Sequence, residues 1–141
     1  MIICFIYSTL TINHSAFALV FEGRFNAYQC LACFKQFIKG RTSPVILIVD
    51  GHPAHKSKKV ADYIDSLDGK LEMVFLPPYA PDLNPDELVW HQMRNIGTSK
   101  KPLKQGESLK NRVIVDLETI KRDKKLIRSF FHEPTVLFAA A

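Results

Sequence analysis

The sequence predicts an α/β fold in three layers, with helices on both faces of a central mixed sheet. Three observations carry that prediction. Val45 to Val49 is an uninterrupted run of β-branched and leucine residues, the pattern of a strand covered on both faces. Apolar residues on either side of it recur at helical spacing. The elements then alternate as strand, strand, helix, strand, helix, strand, helix, with further helices behind them. At 141 residues, 47% hydrophobic and 23% charged, the chain is long enough for one domain with a real core. That domain divides into a strand hairpin at 1–23, an α/β core at 24–99 and a basic helical tail at 100–141.

The first stretch is ambiguous. Met1 to Leu10 is apolar and Ala16-Phe-Ala18 resembles a small-residue cleavage site, which would make a signal peptide and a secreted protein. No Lys or Arg precedes Arg24, however, and Ser8, Thr9, Thr11 and Asn13 interrupt the run before it could span a bilayer. The favoured reading is a hairpin: Ile2 to Thr11, a polar turn at Asn13-His14-Ser15, and Ala16 to Phe21 ending at Gly23.

Asn26 is suited to cap a helix running to about Lys39. Cys30, Cys33, Phe34, Phe37 and Ile38 form its apolar face, and Gly40 closes it. Cys30 and Cys33 make a CxxC inside this helical pattern, which favours core packing over metal or redox work. With three cysteines in all, a disulfide framework is not indicated and a reducing cytoplasm is the expected setting. After the strand at Val45, a second helix is expected from Ala54 to Leu67, ended by Asp68-Gly69, then a strand from Leu71 to Leu76. A helix over Ser108 to Arg122 would bury Leu109, Val113, Leu117 and Ile120, and a shorter one would run from Lys124 to Phe131. No transmembrane stretch or internal repeat is evident.

Two stretches carry chemistry. Val45 to Val49 delivers Asp50 to the end of a strand, where ligands sit in α/β folds, and Gly51 turns the chain away. Thirty-six residues separate Asp50 from Glu87, enough for a βαβ unit to bring both acids to one end of the sheet. Carboxylates a few ångströms apart repel unless a cation lies between them, so a magnesium site acting on phosphate is the functional reading. Each acid also has a plain structural reading: Asp50 as a strand-end turn residue, and Glu87 as the N3 partner of an Asn84-Pro85 helix cap. His52 and His55 sit in a turn, better placed near substrate phosphate or structuring the loop than as a metal pair. Tyr79 and Trp90 read as loop and core anchors. The net charge of +5 is compatible with a nucleic-acid partner, and Lys121, Arg122, Lys124 and Lys125 lead a C-terminal basic cluster. That cluster is equally a solvated helix face or a DNA-backbone footprint.

Together, Asp50-Gly-His-Pro-Ala-His-Lys-Ser57 and Leu76-Pro-Pro-Tyr-Ala-Pro-Asp-Leu-Asn-Pro-Asp-Glu-Leu-Val-Trp90 resemble the second and third acid motifs of mariner-related insertion-sequence transposases, the DDE superfamily endonucleases. The resemblance runs from about Ala16 to the C-terminus and includes Phe21-Glu-Gly-Arg-Phe-Asn26 and Arg128-Ser-Phe-Phe131. It implies a ribonuclease-H-like fold in which three acids hold magnesium or manganese, which activates water or a DNA 3′-hydroxyl for attack on a phosphodiester at transposon ends. By that match Asp50 would be the second acid and Glu87 the third; separately, His52, His55 and Lys56 are expected to face the DNA. It also implies a first acid on an earlier strand, yet no Asp or Glu precedes Glu22. The expectation is a chain lacking the first strand and the DNA-binding N-terminus, inactive alone. It would join copies of itself, a full-length transposase or an upstream fragment. A non-catalytic DNA-binding or regulatory remnant is the alternative.

Overall fold

Two strand ladders form the middle layer of the computed structural model, which describes residues 2–8, 15–96 and 100–135. Strands β1 (Ile2–Ser8) and β2 (Ser15–Phe21) pair antiparallel, with Ile2 opposite Phe21 and Ser8 opposite Ser15. This is the hairpin reading, though the turn expected at Asn13-His14 lies outside the described residues. Strands β3 (Val45–Val49) and β4 (Leu71–Phe75) pair in parallel, Val45 opposite Leu71 and Val49 opposite Phe75.

Alternation along the strands builds the layers. Phe17, Leu19 and Phe21 of β2, with Val45, Leu47 and Val49 of β3, pack against α1 (Ala27–Ile38) and α2 (Lys58–Asp65). Ala18, Val20 and Ile48 meet the opposite layer, formed by α3 (Pro85–Ile96), α4 (Leu109–Arg122) and α5 (Lys124–Phe130). The same two helical layers thus cover both ladders, and the three-layer arrangement expected from the sequence is present.

The middle layer differs from the expected single sheet in one respect. Among the described residues no hydrogen-bonded ladder joins β1 to β3. The two strands nevertheless approach within 8 Å between Cα atoms. A strand lying between them would hold them about 9.5 Å apart, twice the normal spacing. Among the described residues the β1–β2 hairpin thus lies next to β3 without a ladder between them. Strand β3 is also less covered than its composition suggests: Ile46 is 44% exposed, because the second helical layer reaches Ile48 and stops short of it.

Local chemistry sets the helix ends. Asn26 Oδ1 accepts from the N–H groups of Tyr28 and Gln29, and Gln29 Oε1 accepts from Asn26 N–H at 3.1 Å, a complete capping box. Gly40 follows with φ +76°, a left-handed stop. Helix α2 begins at Lys58 rather than Ala54, because Ser57 is extended and caps it: its Oγ accepts from Val60 N–H and donates to Ala54 O. In α4 the buried residues are Val113, Leu117 and Ile120, whereas Leu109 in its first turn is 45% exposed.

Candidate metal-binding and DNA-facing site

Where β3 ends, Leu76 N–H donates to Val49 O at 2.8 Å and fixes the start of the proline-rich loop alongside Asp50. The Asp50 carboxylate is about half exposed, and its Oδ1 accepts from His55 Nδ1 at 2.9 Å and from His52 N–H at 3.0 Å. His55 Nδ1 also lies 3.2 Å from Asp50 O, so Nδ1 carries the proton. The ring is 12% exposed, stacked on Phe34 at 6.2 Å between centroids and met by the Phe25 ring at 5.6 Å. The hydrogen bond from His55, followed by that from His52 N–H, holds the Asp50 carboxyl below its ordinary value despite partial burial.

The two imidazoles differ in role. His55 is enclosed and grips Asp50. His52 is exposed, and its Nδ1 accepts from Ala54 N–H at 3.1 Å, which leaves a proton on Nε2 as an unused donor in the neutral ring. Both Nδ1 atoms are thus occupied by the loop itself. Lys56 curls back over the turn: its Nζ would lie 3.2 Å from a Cβ at Gly51 and sits 5.7 Å from the Phe75 ring centroid.

The second acid motif opens α3. Asn84 Oδ1 accepts from Asp86 N–H at 3.1 Å, and Glu87 N–H donates to Asn84 O. The Glu87 carboxylate is exposed and makes no hydrogen bond or ion pair among the described residues, so the glutamate half of the expected capping box is unformed. Sequence reasoning passed over its neighbour. Asp86 is half-buried and makes no side-chain hydrogen bond among the described residues. Burial first, then the charges of Asp50 and Glu87, push its carboxyl well above the ordinary value. Asp50 and Asp86 therefore lie in each other's field. The available signal was its place beside Glu87 in the first turn of the helix.

Other expected residues fall as follows. Cys30 and Cys33 are buried in α1 and not disulfide-bonded, and burial, then Cys33 and Asp50, pushes the Cys30 thiol up to about 12. Core packing is the role this supports. Tyr79 is no loop anchor: it is fully exposed, with φ +57°. Trp90 is half-buried on α3. In the basic C-terminal helices, Lys121 Nζ is paired with Glu118 at 2.7 Å and Arg112 with Glu107, while Arg122, Lys124 and Lys125 are exposed with no ion pair among the described residues.

The DDE superfamily endonuclease family matches residues 3–110 of the chain. The chain belongs to the DDE superfamily endonucleases. Among solved structures, this chain is similar to the catalytic domain of Mos1 mariner transposase, with a TM-score of 0.61 and 20% identity. The match covers 89% of this chain and 67% of that one, and at that identity it speaks for the fold, which is ribonuclease-H-like. No curated protein matches. Among the described residues, no helix is long and apolar enough to cross a membrane.

Endonucleases of this superfamily are generally divalent-metal dependent. The donors here fit a hard cation in kind: carboxylates, one of them half-buried with no hydrogen-bonding partner beside two others. In arrangement they are incomplete, since among the described residues no three His, Cys, Asp or Glu side chains converge on one point. Asp86→Asn is expected to raise the melting temperature at pH 7 by about 2–5 °C, because it removes a repelled carboxyl. The sign follows from proton linkage. An acid whose folded pKa is raised contributes stability while protonated and loses it as pH rises above the ordinary carboxylate range. The depressed Asp50 works in the opposite sense, losing its contribution as pH falls. Melts from pH 4 to 8 should show a flatter high-pH decline in the variant.

Proposed function

We propose that this chain carries the strand-cleaving and strand-joining site of a transposase, acting on transposon-end DNA with Asp50 and Glu87 as ligands of magnesium or manganese. The observation that supports it best is that acids of the two motifs feel each other, since the charges of Asp50 and Glu87 both act on the Asp86 carboxyl. When bound, the divalent ions would supply Lewis acidity to the phosphodiester and its attacking oxygen. His55 orients Asp50 and leaves its second oxygen for a cation. Lys56 and the Nε2 donor of His52 face the phosphate, and Asp86 adds a carboxylate that the motif does not require.

On this reading the site takes a further carboxylate, which residues 1–21 do not contain. A second polypeptide carrying that carboxylate, from an upstream fragment or a full-length transposase, completes the site. The test is a magnesium or manganese titration of the folded chain, with and without such a fragment, followed by nicking of end DNA. Binding and nicking that need the fragment support the proposal. Absence of both in either mixture defeats it and leaves the DNA-binding remnant.

Arg122, Lys124 and Lys125 are proposed to bind the DNA backbone, with Lys121 partly held by Glu118. Neutralising all four to Gln is expected to weaken DNA binding and to reduce the slope of log K against log salt by about 3 rather than 4. Fluorescence anisotropy across a salt series measures it. An unchanged slope would assign these cations to a solvated surface.

A further inference from the structure

The segment between α3 and α4 is basic, and one side chain holds it. Between Ile96 and Leu109 the only acid is Glu107, against Lys100, Lys101 and Lys104. Lys104 O accepts from Glu107 N–H at 3.0 Å, and Gly106 supplies the positive φ, +81°, that this turn uses. Glu107 Oε2 accepts in return from Lys104 N–H at 2.9 Å. Arg112, in the first turn of α4, then closes the loop. Its Nε donates to Glu107 Oε1 at 2.8 Å. One terminal nitrogen donates to Lys101 O, and the other to Pro102 O at 3.1 Å and to Glu107 Oε2. The Arg112 side chain is 12% exposed, and all of these bonds go to the loop. The three lysine side chains are exposed, with no ion pair among the described residues. Lys110 Nζ reaches Glu22 at 3.5 Å, which sets the start of α4 at the same end of β2 as Phe25 and the His52–His55 turn.

We propose that Arg112 is a positioning residue, which sets residues 101–107 as a rigid basic loop so that Lys101 and Lys104 engage the DNA backbone. This role rests on the DNA-cleaving reading above and deepens it, adding a contact separate from the cations at the end of α4 and in α5. The guanidinium fork matches a carboxylate with two parallel bonds, where a lysine would supply only a point charge. With Lys101 O and both backbone groups of Lys104 already bonded, only the two side chains remain to be ordered on a phosphate. A free loop would have to order its backbone as well, at a further cost in affinity. Glu107 thus favours DNA binding although its charge opposes it.

The experiment measures binding of the full chain to a DNA duplex of mixed sequence by fluorescence anisotropy across a salt series, with a circular dichroism melt of each variant. Lys101→Gln combined with Lys104→Gln is expected to reduce the slope of log K against log salt by about 2. Glu107→Ala makes the chain more positive, so a role through charge alone would tighten binding. The positioning role predicts about fivefold weaker binding instead, at nearly unchanged melting temperature. Arg112→Lys keeps the charge, loses the fork and should weaken binding to the same degree. Equal or tighter binding by Glu107→Ala overturns the positioning role. An unchanged slope in the double lysine variant overturns the backbone contact. Either result leaves the DNA-cleaving reading to its own manganese titration, whereas a wild-type chain that binds no DNA at any salt overturns both.

Discussion

Asp50→Ala is expected to abolish saturable manganese binding, and with it all metal-dependent nicking by the chain in its completed assembly. Asp50 is the acid that the fold positions most firmly: β3 delivers it, Leu76 N–H pins the neighbouring loop to Val49 O, and His55 and His52 N–H fix one oxygen. Loss of an outer partner of a metal ligand already costs about 10–100-fold in affinity, so losing a ligand from so sparse a set leaves too little to measure. The fold should survive, because the carboxylate is half exposed and closes no core contact. Isothermal titration of the chain with its completing fragment and manganese, alongside circular dichroism, separates the two effects. A wild-type isotherm from a folded Asp50→Ala chain would remove Asp50 from the site. Glu87→Gln provides the matching measurement on α3, where the carboxylate is exposed and its loss should leave stability unchanged.

Phe34→Ala is expected to cost about 3–5 kcal/mol, a large share of the roughly 5–15 kcal/mol that holds a domain together. Phe34 is 0% exposed in the core between α1, α2 and β3, so truncation leaves a cavity with no solvent path to fill it. It also removes the ring on which His55 stacks. Phe34→Leu should cost much less in stability yet still loosen His55, and with it the orientation of Asp50. Urea denaturation gives the first number, and the manganese affinity of Phe34→Leu gives the second. If Phe34→Leu binds manganese as the wild type does, the stacked ring is core filling alone.

Much of this was legible in sequence because it depends on short stretches. The run from Val45 to Val49 names a strand and places Asp50 at its end. Asn26 and Gln29 specify a cap through contacts three residues apart. Other features depend on distant parts of the chain meeting. Asp86 reads as a helix-start acid until Asp50 is brought beside it from the other motif. Phe25 reads as an apolar residue near a cap until the His52–His55 turn folds against it. The late start of α2 depends on Ser57 choosing Ala54 O and Val60 N–H as partners, a competition that apolar spacing does not reveal. The separation of the two ladders is least legible of all, since strand pairing is decided by what lies alongside.

That separation has a consequence for cooperativity. Among the described residues no ladder joins the β1–β2 hairpin to β3, whereas β3 and β4 are joined by a five-residue ladder. Opening the molecule along the first seam breaks no ladder among the described residues; opening it along the second breaks a run of hydrogen bonds. Amide hydrogens of β1 that face β3 should therefore exchange through a low-energy local opening, while those of β3 facing β4 wait for global unfolding. The chain would behave as two units of unequal stability, the β1–β2 hairpin being the weaker.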